Sequence, residues 1–180
     1  MFSLPLTDDA ELRPLMPWHA DEFLANLDRG REHIAPWVGA SFVATDPESA
    51  RRVLRNYADR WARDDGGIWG IWRHGTLVGG VMFVSLSTTT GVAEAGCWLE
   101  PAAEGQGLVT RAARVVIDWA IRERGIHRVE WVTKAGNERS IAVAQRLGMR
   151  RDGVLRAAAP TSTGRADMEV WSVLAPEWTA

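Results

Sequence analysis

The sequence predicts one α/β or α+β domain, built around a single sheet whose strands run in mixed directions. Its 180 residues and 46 % hydrophobic content are enough for one domain with a sizeable core, which we expect to span residues 1–180. Two helical patterns come first, and a run of strand patterns follows. Strand and helix patterns then alternate toward the C-terminus, an order typical of a mixed sheet covered by helices.

The N-terminal third contains a short strand and two helices. Residues 12–15 have a strand pattern, and residues 19–28 have apolar side chains at helical spacing. A second helix should begin after Asp46, because aspartate is a favoured N-cap and Pro47 suits the first helical position. Its apolar stripe consists of Ala50, Val53, Leu54, Tyr57, Ala58 and Trp61.

The middle of the chain reads as a block of antiparallel strands. Residues 68–73 and 77–86 have strand patterns, and the dipeptide His74-Gly75 between them suits a tight turn. A polar loop separates the second of these strands from a third strand at residues 92–99. The sequence therefore predicts a meander of three neighbouring strands.

The pattern changes to helical spacing after that meander. Between residues 107 and 123 apolar side chains recur at one face and charged side chains at the other, which predicts an amphipathic helix ended by Gly125. Residues 127–133 then alternate as a strand. A strand, a loop, a helix and a further strand in this order are typical of α/β architecture.

The C-terminal segment adds one more helix and two strands. The helix spans residues 137–147 and ends at Gly148, because glycine commonly follows the last helical turn. Strands at residues 154–157 and 168–174 close the chain, with a turn at residues 161–164. The prediction thus totals about seven strands and about four helices.

Composition and charge exclude several classes of protein. The formal net charge is −2, which argues against a nucleic-acid-binding protein, and no apolar run is long enough for a membrane span. The N-terminus lacks the features of a signal peptide. Cys97 is the single cysteine and the four histidines lack ligand spacing, so we expect no disulfide and no metal site. These features predict a cytoplasmic protein.

The segment with the clearest chemical signal is the loop between the strand at 92–99 and the following helix. Gly105 and Gly107 allow the backbone to turn sharply and to approach a ligand closely. The first amides of a helix have no partner within it and lie at its positive end, so this arrangement can hold a phosphate, and the Thr110 hydroxyl could add a donor. It lacks the Gly-Lys-Ser/Thr ending of a P-loop and the third glycine of a dinucleotide fingerprint. The alternative is a tight turn without a ligand.

The loop and several later motifs together resemble one family. Gly105-Gln106-Gly107 resembles the acyl-CoA pyrophosphate loop of the GNAT N-acetyltransferases. Other pieces resemble the RimJ/RimL-type ribosomal-protein N-terminal acetyltransferases in order and spacing, and the resemblance covers about residues 10–178. These pieces are EAGCWL (94–99), GIHRV (125–129), NERS (137–140), LGM (147–149), DGVLR (152–156) and PEW (176–178).

The sequence departs from the family pattern at three places. Ala102 stands where the family loop usually begins with glutamine or arginine, three residues before the first glycine. Cys97 replaces a usual tyrosine and Met149 a usual phenylalanine. Because the cradle acts mainly through backbone amides, the change at Ala102 weakens the match only slightly.

The resemblance implies both a fold and an activity. The fold would be a central mixed, mostly antiparallel sheet of about seven strands flanked by about four helices. The activity would be direct transfer of acetyl from acetyl-CoA to a primary amine, either a protein N-terminus or a small molecule. Succinyl-CoA is an alternative donor, for which Arg73, Arg156 and Arg165 are candidate cations. A non-catalytic acyl-CoA sensor is a second alternative, and the protein would be a monomer or a homodimer.

The family geometry also implies which residues bind the cofactor. The backbone of Trp98, Leu99 and Glu100 would pair with pantetheine in the manner of an added strand. The amides of the glycine loop and of the first helical turn would hold the pyrophosphate. These amides belong to Gly105, Gln106, Gly107, Leu108 and Val109.

Three side chains are the implied catalytic residues. Ser140 would protonate or hydrogen-bond the CoA thiolate, and Asn137 would bind pantetheine or orient that site. Glu94 would act as the base, directly or through water, if burial raises its pKa, and Asp167 is a weaker substitute. The competing interpretations are an ordinary helix cap for Asn137, a capping or surface hydroxyl for Ser140, and an ion-paired or surface carboxylate for Glu94. Tyr57, the single tyrosine, lies far upstream of the family's usual acid position, which is Ala144 here.

Overall fold

The computed structural model describes residues 3–161 and 163–179. It contains eight strands and four α-helices within those ranges. The strands are β1 (Leu4–Pro5), β2 (Ala10–Pro14), β3 (Gly67–Arg73), β4 (Thr76–Ser87), β5 (Val92–Leu99), β6 (Arg128–Lys134), β7 (Arg150–Thr161) and β8 (Gly164–Leu174). The helices are α1 (Ala20–Ile34), α2 (Pro47–Arg63), α3 (Leu108–Arg124) and α4 (Glu138–Arg146).

All eight strands form one sheet in the order β1-β2-β3-β4-β5-β6-β8-β7. Every neighbouring pair is antiparallel except β5 and β6, which are parallel. The predicted fold class, a mixed and mostly antiparallel sheet with four helices, is therefore confirmed. The additional strand is β1, whose two residues pair with β2 and are too few to show a periodic pattern.

The helices cover both faces of this sheet. One core contains side chains of α3 and α4, such as Ile117 and Ala144, and the other contains side chains of α1 and α2, such as Phe23 and Leu54. All four of these side chains are fully buried. Burial of a large apolar side chain stabilises the fold by about 1.5–3 kcal/mol relative to exposure. None of the helices within the described ranges is long and apolar enough to cross a membrane.

Helix α1 is longer than predicted, because it continues through Gly30 to Ile34. A Cβ atom at Gly30 would lie 3.3 Å from Glu100 Cα and 3.3 Å from Pro101 Cδ. The glycine therefore permits close contact between α1 and the end of β5, and it does not terminate the helix. The predicted end at residue 28 was wrong for this reason.

Helix α2 begins where the sequence predicts. Asp46 is its N-cap, and its carboxylate accepts a hydrogen bond from the Ser49 amide at 2.8 Å. Trp61, at the end of the predicted stripe, is 53 % exposed and stacks on Trp119 of α3 at 5.7 Å between ring centroids. The stripe thus packs against the core through its first two turns and reaches the surface at its last one.

Strands β7 and β8 form a hairpin that is longer than the predicted strands. A bulge between Leu155 and Ala159 interrupts their register, and Ala157 has a φ of 49°. The Asp167 carboxylate accepts a hydrogen bond from the Ala157 amide at 2.7 Å, which stabilises this bulge. Within the predicted turn at residues 161–164, Ser162 lies outside the described residues.

Strands β5 and β6 diverge midway along their length. Val92–Ala95 of β5 pairs with residues 128–131 of β6, and no further pairing between them occurs in the described residues. Beyond this point β5 stays paired with β4 up to Leu99, and β6 stays paired with β8 up to Lys134. Each strand follows its other neighbour, so a gap opens between residues 96–99 and residues 132–134.

Candidate active site

A cavity of about 960 Å³ occupies the gap between β5 and β6. Its walls come from these two strands, the glycine loop, α4 and the segment that follows α1. Small-molecule and cofactor sites usually have volumes of about 300–1,000 Å³. The cavity therefore lies at the upper end of the usual size range for a cofactor site.

The glycine loop lies at one end of this cavity. Gly105 and Gly107 have φ values of 77° and 70°, and a Cβ atom at either position would meet no atom within 4 Å. The first hydrogen bond of α3 runs from the Arg111 amide to the Gly107 carbonyl at 3.0 Å. The amides of residues 105–110 thus have no acceptor among the described residues. Free amides at the positive end of a helix fit a phosphate group.

Five of the six residues predicted to form this cradle line the cavity, and Gln106 does not. Gly105, Gly107, Leu108, Val109 and Thr110 line the cavity, with the Leu108 and Val109 side chains buried in the core. The side chain of Gln106 is exposed to solvent between the two glycines. The position of these residues favours contacts with a pyrophosphate, and those contacts stay a prediction.

Trp98 and Leu99 lie on the edge of β5 and line the cavity, and their predicted pairing with pantetheine stays a prediction. Glu100 does not line the cavity. Its amide donates to the Val78 carbonyl at 2.9 Å, and its carbonyl accepts from the Ala103 amide at 3.1 Å. Because both backbone groups of Glu100 are engaged, the predicted pairing of this residue with pantetheine does not fit the structure.

A buried polar network fixes the end of β5 against α1, and the sequence analysis missed it. The Trp98 indole donates to Asn26 Oδ1 at 2.8 Å, and Asn26 Nδ2 donates to Glu100 Oε2 at 2.8 Å. Arg29 Nε donates to the same carboxylate oxygen at 2.8 Å and also bonds the Leu77 carbonyl. Asn26 is fully buried. The side chain of Glu100 therefore positions the strand that borders the cavity.

The N-terminus of α4 contributes Asn137 and Ser140 to the opposite wall. Asn137 Oδ1 caps the helix by accepting from the Ser140 amide at 3.4 Å, so the capping interpretation of Asn137 is confirmed. The Trp131 indole donates to Ser140 Oγ at 2.9 Å. Because this oxygen accepts from Trp131, the hydroxyl hydrogen of Ser140 is free to donate to a group in the cavity.

Glu94 lies on β5 where the cavity meets the α1–α2 side of the sheet. Its carboxylate is half-buried and has no hydrogen-bond partner among the described residues. Burial raises the pKa of Glu94, and the negative charge of Glu130, its register partner on β6, raises it further. Glu130 itself is ion-paired with Arg128 at 2.8 Å. An unpaired carboxylate with a raised pKa inside a cleft is typical of a functional group.

Tyr57 of α2 lines the same part of the cavity, although it lies far upstream of the family's acid position in the sequence. Its hydroxyl donates to Met82 Sδ at 3.0 Å. Burial raises the pKa of Tyr57 to about 12, and the charge of Glu94 contributes to this increase. The side chain is therefore a neutral phenol at physiological pH. Its place in the apolar stripe of α2 was the one sequence signal that it faces inward.

Three polar side chains connect the walls beside the glycine loop. Glu104 Oε1 lies 2.6 Å from His33 Nε2 and 2.9 Å from an Arg139 guanidinium nitrogen. A guanidinium nitrogen of Arg139 also lies 2.7 Å from His33 Nδ1. This cluster joins the end of α1, the loop and the start of α4, and no motif in the sequence pointed to it.

The structure does not bring the candidate cations for a succinyl group into the cavity. Arg73 is ion-paired with Asp9 at 2.7 Å, and Arg165 bonds backbone carbonyls of the bulge in β7. Arg156 is exposed, and none of the three lines the cavity. Asp167 also lies outside the cavity lining and is engaged by the bulge, so it is not in place to act as the base.

Cys97 lines the cavity, but its thiol is not a reactive nucleophile. Burial raises the pKa of Cys97 to about 12, which keeps the thiol protonated and unreactive. Trp37 lines the cavity, whereas Trp69 and Trp72 pack in the cores. The described part of the chain contains no cluster of three potential metal ligands.

Comparisons with known proteins identify similar chains. A family model described as an acetyltransferase (GNAT) domain matches residues 10–150. A protein of Bacillus subtilis (strain 168) named "Putative ribosomal N-acetyltransferase YdaF" is 29 % identical over 182 residues, which span 99 % of this chain and 98 % of that protein.

Solved structures share the fold at low sequence identity. The ribosomal L7/L12 α-N-protein acetyltransferase RimL in complex with coenzyme A has a TM-score of 0.89 at 18 % identity, covering 96 % of this chain and 97 % of that one. The microcin C7 self-immunity acetyltransferase MccE in complex with acetyl-CoA and AMP has a TM-score of 0.85 at 19 % identity, covering 94 % of each chain.

Proposed function

Because the chain belongs to the acetyltransferase (GNAT) family, we propose that the cavity between β5 and β6 transfers acetyl from acetyl-CoA to a primary amine. The family that the sequence motifs predict is confirmed, and the chain is an N-acetyltransferase. We also propose the class of acceptor amine and the roles of individual residues.

The observation that carries the proposal is the position of the cavity across the gap in the sheet. Free amides of the glycine loop lie at one end. The Ser140 hydroxyl lies on one wall, and the unpaired Glu94 carboxylate lies on the other. The gap therefore offers an anion cradle, a hydrogen-bond donor and a base in one connected space.

The roles of the side chains follow from the balance of the reaction. Glu94 accepts a proton from the ammonium group of the acceptor, and the neutral nitrogen then attacks the thioester carbonyl. A C–N bond forms and the C–S bond breaks, while Ser140 donates a hydrogen bond or a proton to the leaving sulfur. The products are the amide and the free thiol, with one proton passing to solvent. A positioned general base typically contributes about 10²–10⁴-fold to the rate.

Acetyl-CoA is the donor that we propose. Arg73, Arg156 and Arg165 do not line the cavity, so these candidate cations are not in place to hold the terminal carboxylate of a succinyl group. The acceptor is a protein N-terminal α-amine or a small amine. The name of the relative YdaF and that of the structural neighbour RimL favour the first of these. We assign the activity to one domain, acting as a monomer or homodimer in the cytoplasm.

Thermal unfolding with CoA, acetyl-CoA and succinyl-CoA tests the donor. A ligand that binds only the folded state stabilises it by about 2.7 kcal/mol at one hundred times its Kd. We expect acetyl-CoA and CoA to raise the melting temperature more than succinyl-CoA does. No shift with any of the three would contradict the assignment of an acyl-CoA site.

The Ser140→Ala variant tests whether the bound donor is used in catalysis. We expect kcat, followed by thiol release, to fall by about tenfold or more, because the leaving thiolate loses a donor. Ser140→Thr keeps a hydroxyl and should retain part of the activity, and Ser85→Ala, an exposed serine on β4, serves as the control. An acyl-CoA sensor would instead bind CoA and show no turnover even as the wild type.

A further inference from the structure

Part of the cavity lies on the α1–α2 side of the sheet, where Tyr57 and Met82 line it. Tyr57 contacts Met82 through its hydroxyl, and a Cβ atom at Gly96 would lie 3.7 Å from Met82 Cγ and 3.7 Å from Val84 Cγ2. We call this part the acceptor chamber, and it is lined by Phe42, Tyr57, Met82, Val84, Glu94 and Gly96. Gly96 leaves the floor of the chamber open.

The acceptor chamber contains one charged side chain, the carboxylate of Glu94. Arg139 and Arg146, the arginines that line the whole cavity, both belong to α4 on the other wall. Arg139 is also engaged by Glu104. A cationic ammonium group is therefore attracted into the chamber. Arg60 lies near Tyr57 but outside the cavity lining, and its guanidinium donates to the Val84 carbonyl at 2.9 Å. A second carboxylate would lie close to Glu94 in a half-buried setting.

Tyr57 adds an acceptor atom to this carboxylate. Its hydrogen is donated to the Met82 thioether, which leaves the lone pairs of the phenol oxygen available. The charge of Glu94 acts on Tyr57, so the two groups lie near each other, and an ammonium group has enough N–H donors for both. Hydrogen bonds that involve an ionised donor are about twice as strong as neutral ones.

We propose that Tyr57 is an acceptor-binding residue, which together with Glu94 binds the acceptor ammonium, and that the Glu94 charge selects acceptors whose neighbouring carbon carries no carboxylate. Simple aliphatic amines and the first residue of a peptide have this chemistry, whereas free amino acids do not. Because the proposal concerns the acceptor side of the transfer, it rests on the function proposed above. It goes beyond that function by naming the group that selects among amines.

The first test compares three acceptors of equal side-chain size: 3-methylbutylamine, leucinamide and leucine. We expect kcat/KM for leucine to be lower by about tenfold or more than for each of the other two, because only leucine brings a carboxylate beside Glu94. Use of leucine at a rate equal to that of leucinamide would overturn the proposal.

The second test uses the Tyr57→Phe variant, which keeps the ring and removes the oxygen. We expect KM for leucinamide to rise by about tenfold, whereas KM for acetyl-CoA and the melting temperature stay unchanged. Trp61→Phe is the matched control one turn further along α2, outside the lining of this cavity, and it should change neither KM. An unchanged KM for leucinamide in Tyr57→Phe would contradict the role of the phenol.

Calorimetry separates this proposal from the proposed function. If the wild type acetylated none of the three amines, the transfer activity would fail, but amine binding would still be measurable. We expect the CoA-bound protein to bind leucinamide more tightly than leucine, and Tyr57→Phe to bind both more weakly than the wild type does. Equal binding of leucinamide and leucine by the wild type would overturn the selection by Glu94 whatever the turnover.

Discussion

The two walls of the cavity are assembled from the sequence in opposite ways. We call the wall that holds the glycine loop, the first turn of α3, β6 and the first turn of α4 the donor wall. The glycine loop is contiguous with α3 in the sequence, and β6 is followed closely by α4. The acceptor wall combines Phe42, Tyr57, Met82 and Glu94, which come from four separate elements. A wall made of short contiguous segments leaves motifs in the sequence, whereas a wall assembled by tertiary packing does not.

The walls also differ in how their polar side chains are satisfied. On the donor wall, Ser140 is fixed by Trp131 and Asn137 caps α4. On the acceptor wall, Glu94 has no partner within the described part of the chain, and Tyr57 donates only to a weak thioether acceptor. We infer that the donor wall is pre-organised by the protein, whereas the polar groups of the acceptor wall are completed by substrate.

The largest expected effect is that of Glu94→Gln on the acceptor wall. The amide cannot accept a proton from the ammonium, so kcat/KM should fall by about 10²-fold or more, measured by thiol release. The affinity for acetyl-CoA, measured by calorimetry, should stay unchanged because the donor wall is intact. A loss of less than threefold would show that Glu94 is not the base.

The pH profile provides a control for this prediction. Glu94 works as a base only when ionised, so wild-type kcat/KM should fall with decreasing pH through a pKa above the ordinary glutamate value of 4.5. Glu130→Gln removes the negative charge beside Glu94. The decline in kcat/KM should then occur at lower pH, and the maximal kcat/KM should stay unchanged. If Glu130→Gln left the acidic side of the pH profile unchanged, the profile would report the titration of a group other than Glu94.

Local rules predicted much of the fold and the positions of the glycine loop and the start of α4 on the donor wall. The Asp46 cap, the turn at His74-Gly75 and the glycine loop each depend on neighbouring residues, and the structure places each of them as predicted. Prediction from the sequence failed where the position of a residue depends on contacts with residues distant in the chain. Gly30 does not end α1 because of its contact with the end of β5, and Tyr57 reaches the cavity only through the packing of α2.

Glu100 shows the same limit in the candidate site. Its place at the end of β5 suggested backbone pairing with a ligand, but β4 already binds its amide, and Asn26 and Arg29 bind its carboxylate. Asn26 and Arg29 lie 74 and 71 residues away from Glu100 in the sequence. The function of such a residue could therefore not be predicted from its own motif.

The next effect in size is expected on stability, from Asn26→Ala beneath the acceptor wall. The change leaves the Trp98 indole and the Glu100 carboxylate each without one buried partner, and an unsatisfied buried group costs about 1–3 kcal/mol. Urea unfolding should therefore show a loss of about 2–4 kcal/mol. Asn56→Ala, at an exposed position on α2, is the control. A loss equal to that of the control would show that the network does not fix β5.

The smallest expected effect concerns the two glycines that flank α3. It should distinguish a loss of stability from a loss of CoA binding. Gly107 and Gly125 flank α3 with φ values of 70° and 66°, and a Cβ atom at either would meet no atom within 4 Å. Alanine at either position should cost about 1–2 kcal/mol of stability, because L-residues are disfavoured in this conformation. Only Gly107→Ala places a methyl group in the cradle, so only this variant should also weaken CoA binding in calorimetry. If both variants bound CoA equally well, the free amides of the loop would not be the phosphate site, and the donor wall would need another anion-binding group.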